Sequence, residues 1–115
     1  MIKAYRMQDK TAKVGFEWEN KAQVWSKVLE EIGELQEAES LNDQNKKEEE
    51  FGDVLFAMIN YARFINVDPE TSLEKINQKF RRRFQYIEEK ADKSLDEMGL
   101  EAMDNLWNEA KSLGL

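Results

Sequence analysis

Residues 46–66 read KKEEEFGDVLFAMINYARFIN, and the fold turns on how this stretch is wound. It opens on charge and then becomes almost wholly apolar. At about 100° per residue, Phe51, Val54, Leu55, Met58, Ala62 and Ile65 fall on one stripe, the expected core face of a helix. A second face carries Glu49, Asp53 and Asn60 together with Phe56, Ala57 and Phe64. A face left to water would not carry two phenylalanines, so this helix is expected to be covered on more than one side. Asp53 is thereby expected in a walled, partly buried place, where a carboxylate requires a partner.

Working outward, residues 41–45, LNDQN, form a polar turn. Before it, Asn20 followed by Gln23 makes a box-like N-cap, and Trp25, Val28, Leu29, Ile32 and Leu35 recur at helical spacing through Ser40. A short turn between two helices makes them antiparallel neighbours. After the central helix, Asp68 and Pro69 are a cap and a first-turn proline. They open a third helix that carries Leu73, Ile76, Phe80, Phe84 and Ile87 and ends near Ala91. Residues 94–99 read as a loop, and residues 101–112 as a last helix with Met103, Leu106, Trp107 and Ala110 inward. Residues 1–19 show no clear period. They read as an arm whose aromatics pack on the bundle, or as a linker from a preceding domain. The expectation is an all-α antiparallel bundle over residues 20–115 with an arm over 1–19.

The bulk numbers agree with one domain: 115 residues, 41% hydrophobic and 36% charged, with one proline and five glycines. No apolar run is long enough to span a membrane and no secretory leader is visible, so a cytoplasmic protein without a membrane partner is expected. A net charge of −7 argues against a nucleic-acid partner held by a basic surface. Cysteine and histidine are absent. Thiolate nucleophiles, imidazole acid–base chemistry and the usual zinc sites are therefore excluded, leaving oxygen ligands for any metal.

Those oxygens occur in a repeated spacing. Glu31 and Glu34 stand three apart on one helix, and Glu50 and Asp53 three apart on the next. Residues three apart share a helix face, and an antiparallel hairpin can bring the two pairs opposite one another. Four carboxylates so gathered repel unless cations neutralise them, and a site of oxygen ligands suits Mg²⁺, or Mn²⁺ in its place. Mg²⁺ keeps positions open for water or phosphate oxygens, which points towards phosphoryl chemistry. Di-iron bundles require a Glu-x-x-His motif that this chain cannot supply. Either pair alone is a weak signal, because surface helices are rich in glutamate, and Glu34 turns away from the Trp25 stripe as a solvated residue would. A polyphosphate would also need cations. Lys79 and Arg83, four apart beside Phe80 and Phe84, can provide them, as can Lys111, four residues after Trp107. Surface ion pairs for the cations and a core role for Trp107 are the plainer alternative.

These motifs, KVLEEIGEL, EEEFGDVLFAMINYAR, DPETSLEKINQKFRRRF and EAMDNLWNEAK, occur in the order seen in MazG-type nucleoside triphosphate pyrophosphohydrolases. Over nearly the whole chain the sequence resembles the C-terminal domain of the long, two-copy members. The resemblance implies an all-α dimer that hydrolyses ribo- and deoxyribonucleoside triphosphates, with broad specificity, to monophosphate and pyrophosphate. Attack falls at the α-phosphorus and uses Mg²⁺. It assigns the metal ligands to Glu31, Glu34, Glu50 and Asp53. Substrate phosphates and base fall to Lys79, Arg83, Trp107 and Lys111, with Lys46 a looser match and Asn60 a further pocket residue. Glu30 and Glu49 are candidates to accept the proton of the attacking water. A narrower enzyme acting on dCTP, dUTP or phosphoribosyl-ATP, or a helical dimerisation module without activity, are the competing readings. A homodimer is also expected on physical grounds, because one short bundle leaves an apolar face of residues 54–65 uncovered.

Overall fold

The computed structural model describes residues 1–115. It contains five α-helices, α1 (Ile2–Ala12), α2 (Lys21–Ser40), α3 (Gln44–Phe64), α4 (Pro69–Lys90) and α5 (Leu100–Ser112), one 3₁₀ turn at Leu95–Glu97, and no strand. The fold is all-α, as the spacing predicts. The chain divides into two compact units, Met1–Glu70 and Thr71–Leu115.

In the first unit, α2 and α3 form a helical hairpin. Asn20 caps α2, its side chain accepting from the Gln23 amide at 3.0 Å, while the Gln23 side chain accepts from the Glu19 amide at 2.8 Å. Asp43 caps α3 by accepting from the Lys46 amide at 3.2 Å. Gln44 and Asn45 are therefore already helical, and the turn is shorter than the polar composition of residues 41–45 suggests. Asn42 makes the reversal with φ 54°, a left-handed conformation that asparagine tolerates.

The buried face of this hairpin differs from the expected stripes. The buried apolar residues of the hairpin are Val24, Val28 and Ala38 on α2 and Ala57, Ile59 and Ala62 on α3. By contrast Trp25, Leu29 and Ile32, on α3 Phe51, Leu55 and Met58, and Ile65 just after it, remain more than a third exposed. Both helices carry two apolar faces, and the one that is buried is richer in alanine and valine, side chains that permit close packing of helices. Trp25 still packs its ring on Tyr61, with centroids 5.0 Å apart.

The expected arm is a helix over most of its length. Its inward face is Ala4, Tyr5, Gln8 and Ala12, spaced as a helix requires, and α1 lies against α3. A glutamine stands at the centre of that face, which is why no apolar period was visible. The Gln8 Nε2 donates to the Phe56 carbonyl at 2.9 Å. Arg63 completes the attachment: its Nε donates to Asp9 at 2.8 Å, its Nη2 to Glu17 at 3.0 Å and its Nη1 to Asn60 at 2.7 Å.

The second unit holds most of α4 with α5. The Asp68 side chain accepts from the Glu70 amide at 3.1 Å at the start of α4, as the Asp-Pro signal predicts. Phe80 lies parallel to Phe84 and tilted against Trp107, with centroids 6.2 and 5.4 Å apart. Tyr86 donates a short hydrogen bond to Glu109. No helix is long and apolar enough to cross a membrane.

Candidate functional site

The α2–α3 hairpin brings carboxylates to one point. Ligand oxygens of Glu31, Glu50 and Asp53 all lie within 4.8 Å of one another. Glu31 and Glu50 are 7% and 5% exposed, which is unusual for glutamate and calls for compensation. Each finds half of it one turn back on its own helix. Lys27 Nζ stands 2.9 Å from Glu31 Oε1, and Lys46 Nζ 3.2 Å from Glu50 Oε1. The second oxygen of each glutamate, Oε2, is buried with no partner.

The charges here oppose one another as their proximity requires. Burial, and then the charges of Glu31 and Glu50, push the Asp53 carboxyl above the usual carboxylate range, with Lys27 opposing. The Glu31 carboxylate beside Glu34 raises that group too. Hydrogen bonds to Glu31 and Glu50 raise Lys27 and Lys46 respectively, each ammonium being held by its carboxylate. Two buried oxygens without partners, on glutamates that belong to a cluster of like charge, fit a cation bound by oxygen ligands. With no histidine or cysteine in the chain, a hard divalent ion is the chemical match.

Asp53 is more open than its crowded helix suggested: the residue is exposed, while Glu31 and Glu50 are buried. Glu34 is half-buried next to Glu31, outside the group of three that share a centre. Of the other expected residues, Lys46 is engaged with Glu50, and Asn60 accepts from Arg63. The unit Thr71–Leu115 contains the remaining four. There the Arg83 guanidinium lies over the Trp107 ring at 5.1 Å and its Nε donates to the Leu115 carbonyl at 2.9 Å. Lys79 is half-buried and Lys111 exposed.

Two features escaped the sequence reading. Lys27 belongs to the cluster, and its signal was present, since Lys27, Glu31 and Glu34 repeat the spacing of Lys46, Glu50 and Asp53. The other is a cavity of about 710 Å³ within the first unit. Glu31 and Asp53 line it, along with Gln8, Phe16 and Trp18 from α1 and the segment after it, and Phe56 and Asn60 from α3. Only the aromatics of residues 1–19 hinted at it.

Comparison with known proteins gives the lineage. The chain is 43% identical over 111 residues to the nucleoside triphosphate pyrophosphohydrolase/pyrophosphatase MazG of Thermotoga maritima, covering 94% of this chain and 42% of that protein. It is 40% identical over 116 residues to the nucleoside triphosphate pyrophosphohydrolase of Escherichia coli K12, covering 96% and 44%. It is also 53% identical over 77 residues to the uncharacterized protein YabN of Bacillus subtilis, covering 64% and 16%. The chain spans less than half the length of these curated relatives. Residues 19–88, which carry the whole carboxylate cluster, match the MazG nucleotide pyrophosphohydrolase domain, and the chain belongs to that family.

Proposed function

We propose that this chain hydrolyses nucleoside triphosphates, ribo- and deoxyribo- alike, to nucleoside monophosphate and pyrophosphate in a Mg²⁺-dependent reaction. The observation that carries the reading is the pair of orphaned buried oxygens on Glu31 and Glu50 beside Asp53. The similar proteins of Thermotoga maritima and Escherichia coli, both nucleoside triphosphate pyrophosphohydrolases, support it.

Glu31, Glu50 and Asp53, with Glu34 at the edge, would hold the metal. When bound, Mg²⁺ neutralises the gathered charge, polarises phosphate oxygens and makes a coordinated water more acidic. Water oxygen bonds to the α-phosphorus, the bond from that phosphorus to the bridging oxygen breaks, and pyrophosphate leaves. Glu30 or Glu49 takes the proton. Lys27 and Lys46 stand against the cluster and can turn their ammonium groups to phosphate oxygens once a cation replaces them at the glutamates. The resemblance gives substrate phosphates and base to Lys79, Arg83, Trp107 and Lys111.

The working form is a homodimer in the cytoplasm. Leu29, Ile32, Phe51, Leu55 and Met58, exposed by 38–54%, are large apolar residues on one hairpin, and a second copy of the chain is the common means of covering such a face. The ligand is the free nucleotide rather than a nucleic acid, in keeping with the net charge of −7.

Exchanging Glu50 or Asp53 for alanine should abolish Mg²⁺-dependent pyrophosphate release while circular dichroism stays helical. Full activity in either variant rejects the assignment. A panel of standard and modified triphosphates separates broad from narrow specificity. Calorimetry with Mg²⁺ and a non-hydrolysable triphosphate separates an enzyme from a dimerisation module, which would bind neither together.

A further inference from the structure

Arg63 and Arg83 are held by different kinds of group. Arg63 spends its nitrogens on the side chains of Asp9, Glu17 and Asn60. Arg83, on α4, is half-buried yet pairs with no carboxylate side chain. Its Nε donates to the Leu115 main-chain oxygen at 2.9 Å, and its guanidinium lies over the Trp107 ring at 5.1 Å. Phe80 packs on that ring in turn, with centroids 5.4 Å apart. A guanidinium so held has one nitrogen and one face engaged, while Nη1 and Nη2 keep their N–H donors uncommitted. That end of the group matches two oxygens of a phosphate.

What puts the Leu115 oxygen there is the way α5 ends. Leu113 is its C-cap, and beyond it the Gly114 amide donates to the Lys111 carbonyl and the Leu115 amide to the Ala110 carbonyl, both at 3.1 Å. This is a Schellman closure, which requires a left-handed residue just past the cap, and Gly114 has φ 82°. A Cβ at Gly114 would meet nothing within 4 Å. The glycine is therefore there for its backbone angle alone. Asparagine, which tolerates that angle, fits in its place, whereas a β-branched residue is strained. Ala110, which accepts the closing bond, has no exposed surface, so the turn is anchored on a packed residue. Capping of the helix accounts for the two amide bonds. It does not account for the bond from Arg83, which takes the oxygen that the closure brings to α4.

We infer that Gly114 is a positioning residue for Arg83: its left-handed turn holds the Leu115 oxygen against Nε, so that the guanidinium is ordered before a polyphosphate arrives and offers Nη1 and Nη2 to its oxygens. Gly114 touches no substrate and acts through Arg83. An arginine ordered in advance loses no rotamer freedom on binding, a gain of about threefold to tenfold in affinity for one long side chain. The inference rests on the hydrolase reading's assignment of Arg83 to substrate phosphates, and binding of inorganic tripolyphosphate tests it without any hydrolysis.

The experiment is calorimetric titration of the full chain with inorganic tripolyphosphate in the presence of Mg²⁺. Gly114→Val should weaken binding by about fivefold, and Gly114→Asn should bind as the native chain does. Gly114→Ala, which is milder, should show a smaller loss and reads the same contact should valine prevent folding. Arg83→Leu should weaken binding by more than Gly114→Val. In the Arg83→Leu background Gly114→Val should cause no further loss, because nothing is left for the turn to position. A Gly114→Val or an Arg83→Leu chain of native helicity that binds like the native one overturns the inference. So does an equal loss from Gly114→Val with and without Arg83, which is the mark of a merely structural role, or an asparagine variant as weak as the valine one. No binding of tripolyphosphate by the native chain overturns it without any variant having to fold. Where these titrations come out as expected and the native chain releases no pyrophosphate from nucleoside triphosphates, the hydrolase reading fails and the positioning role stands.

Discussion

Lys27 and Lys46 each neutralise one oxygen of a buried glutamate and leave the other bare, so the cluster is half-satisfied without a metal. Lys27→Ala should therefore lower stability in EDTA by about 1 kcal/mol, a figure already reduced because its side chain is 37% exposed, and added Mg²⁺ should restore most of it. Urea denaturation with and without the ion measures both effects. At Tyr86 the hydrogen bond to Glu109 raises the phenol above its ordinary value of 10.0. A raised pKa in the folded state means that the contribution is complete below the ordinary phenol value and is lost as pH rises through the higher one. In an absorbance titration one of the three tyrosines should ionise late, and Tyr86→Phe should remove that last phase. The gathering of Glu31, Glu50 and Asp53 was legible because their spacing puts each on the face its helix turns to the other, whereas Glu34, at the same spacing, lies outside the shared centre. Gln8 was not, because a polar residue at an inward position looks like a solvated one until its partners are known.

At the scale of the helix, the starts were readable and the faces were not. Asn20 and Asp68 cap as their side chains dictate, since a cap depends on a few adjacent residues. Which of two apolar faces meets the neighbouring helix depends on that neighbour. On α2 and α3 Val24, Val28, Ala38, Ala57, Ile59 and Ala62 are buried while Trp25, Leu29 and Leu55 are not, a choice that neither helix's own pattern contains. Val28 has no exposed surface. Val28→Ala should cost about 2 kcal/mol by transfer and cavity terms together, whereas Leu29→Ala, on the open side, should cost much less in the isolated chain. Chemical denaturation midpoints at unchanged m-value compare the two.

For the molecule as a whole, sequence could show that an apolar surface was left over but not which one, since surplus is a property of the folded chain. On the proposed two-fold assembly, Leu29, Leu55 and Met58 lose their exposure to a second copy. Sedimentation should give about twice the mass of 13.6 kDa, and Leu55→Glu should shift it towards one copy while circular dichroism remains helical. A native protein that sediments as a single copy at high concentration removes the dimer from the proposal.

Arg63 draws Asp9 and Glu17 onto α3, and both carboxylates are still open to water, at 51% and 36% of their side-chain surface. A salt excluded from protein surfaces, such as sulfate, thus acts in opposite directions on neighbouring helices. Added salt screens the guanidinium and loosens the fastening of α1, while salts excluded from protein surfaces tighten the alanine and valine seam between α2 and α3. The wall of the cavity is governed by electrolyte, and its floor by solvent cohesion.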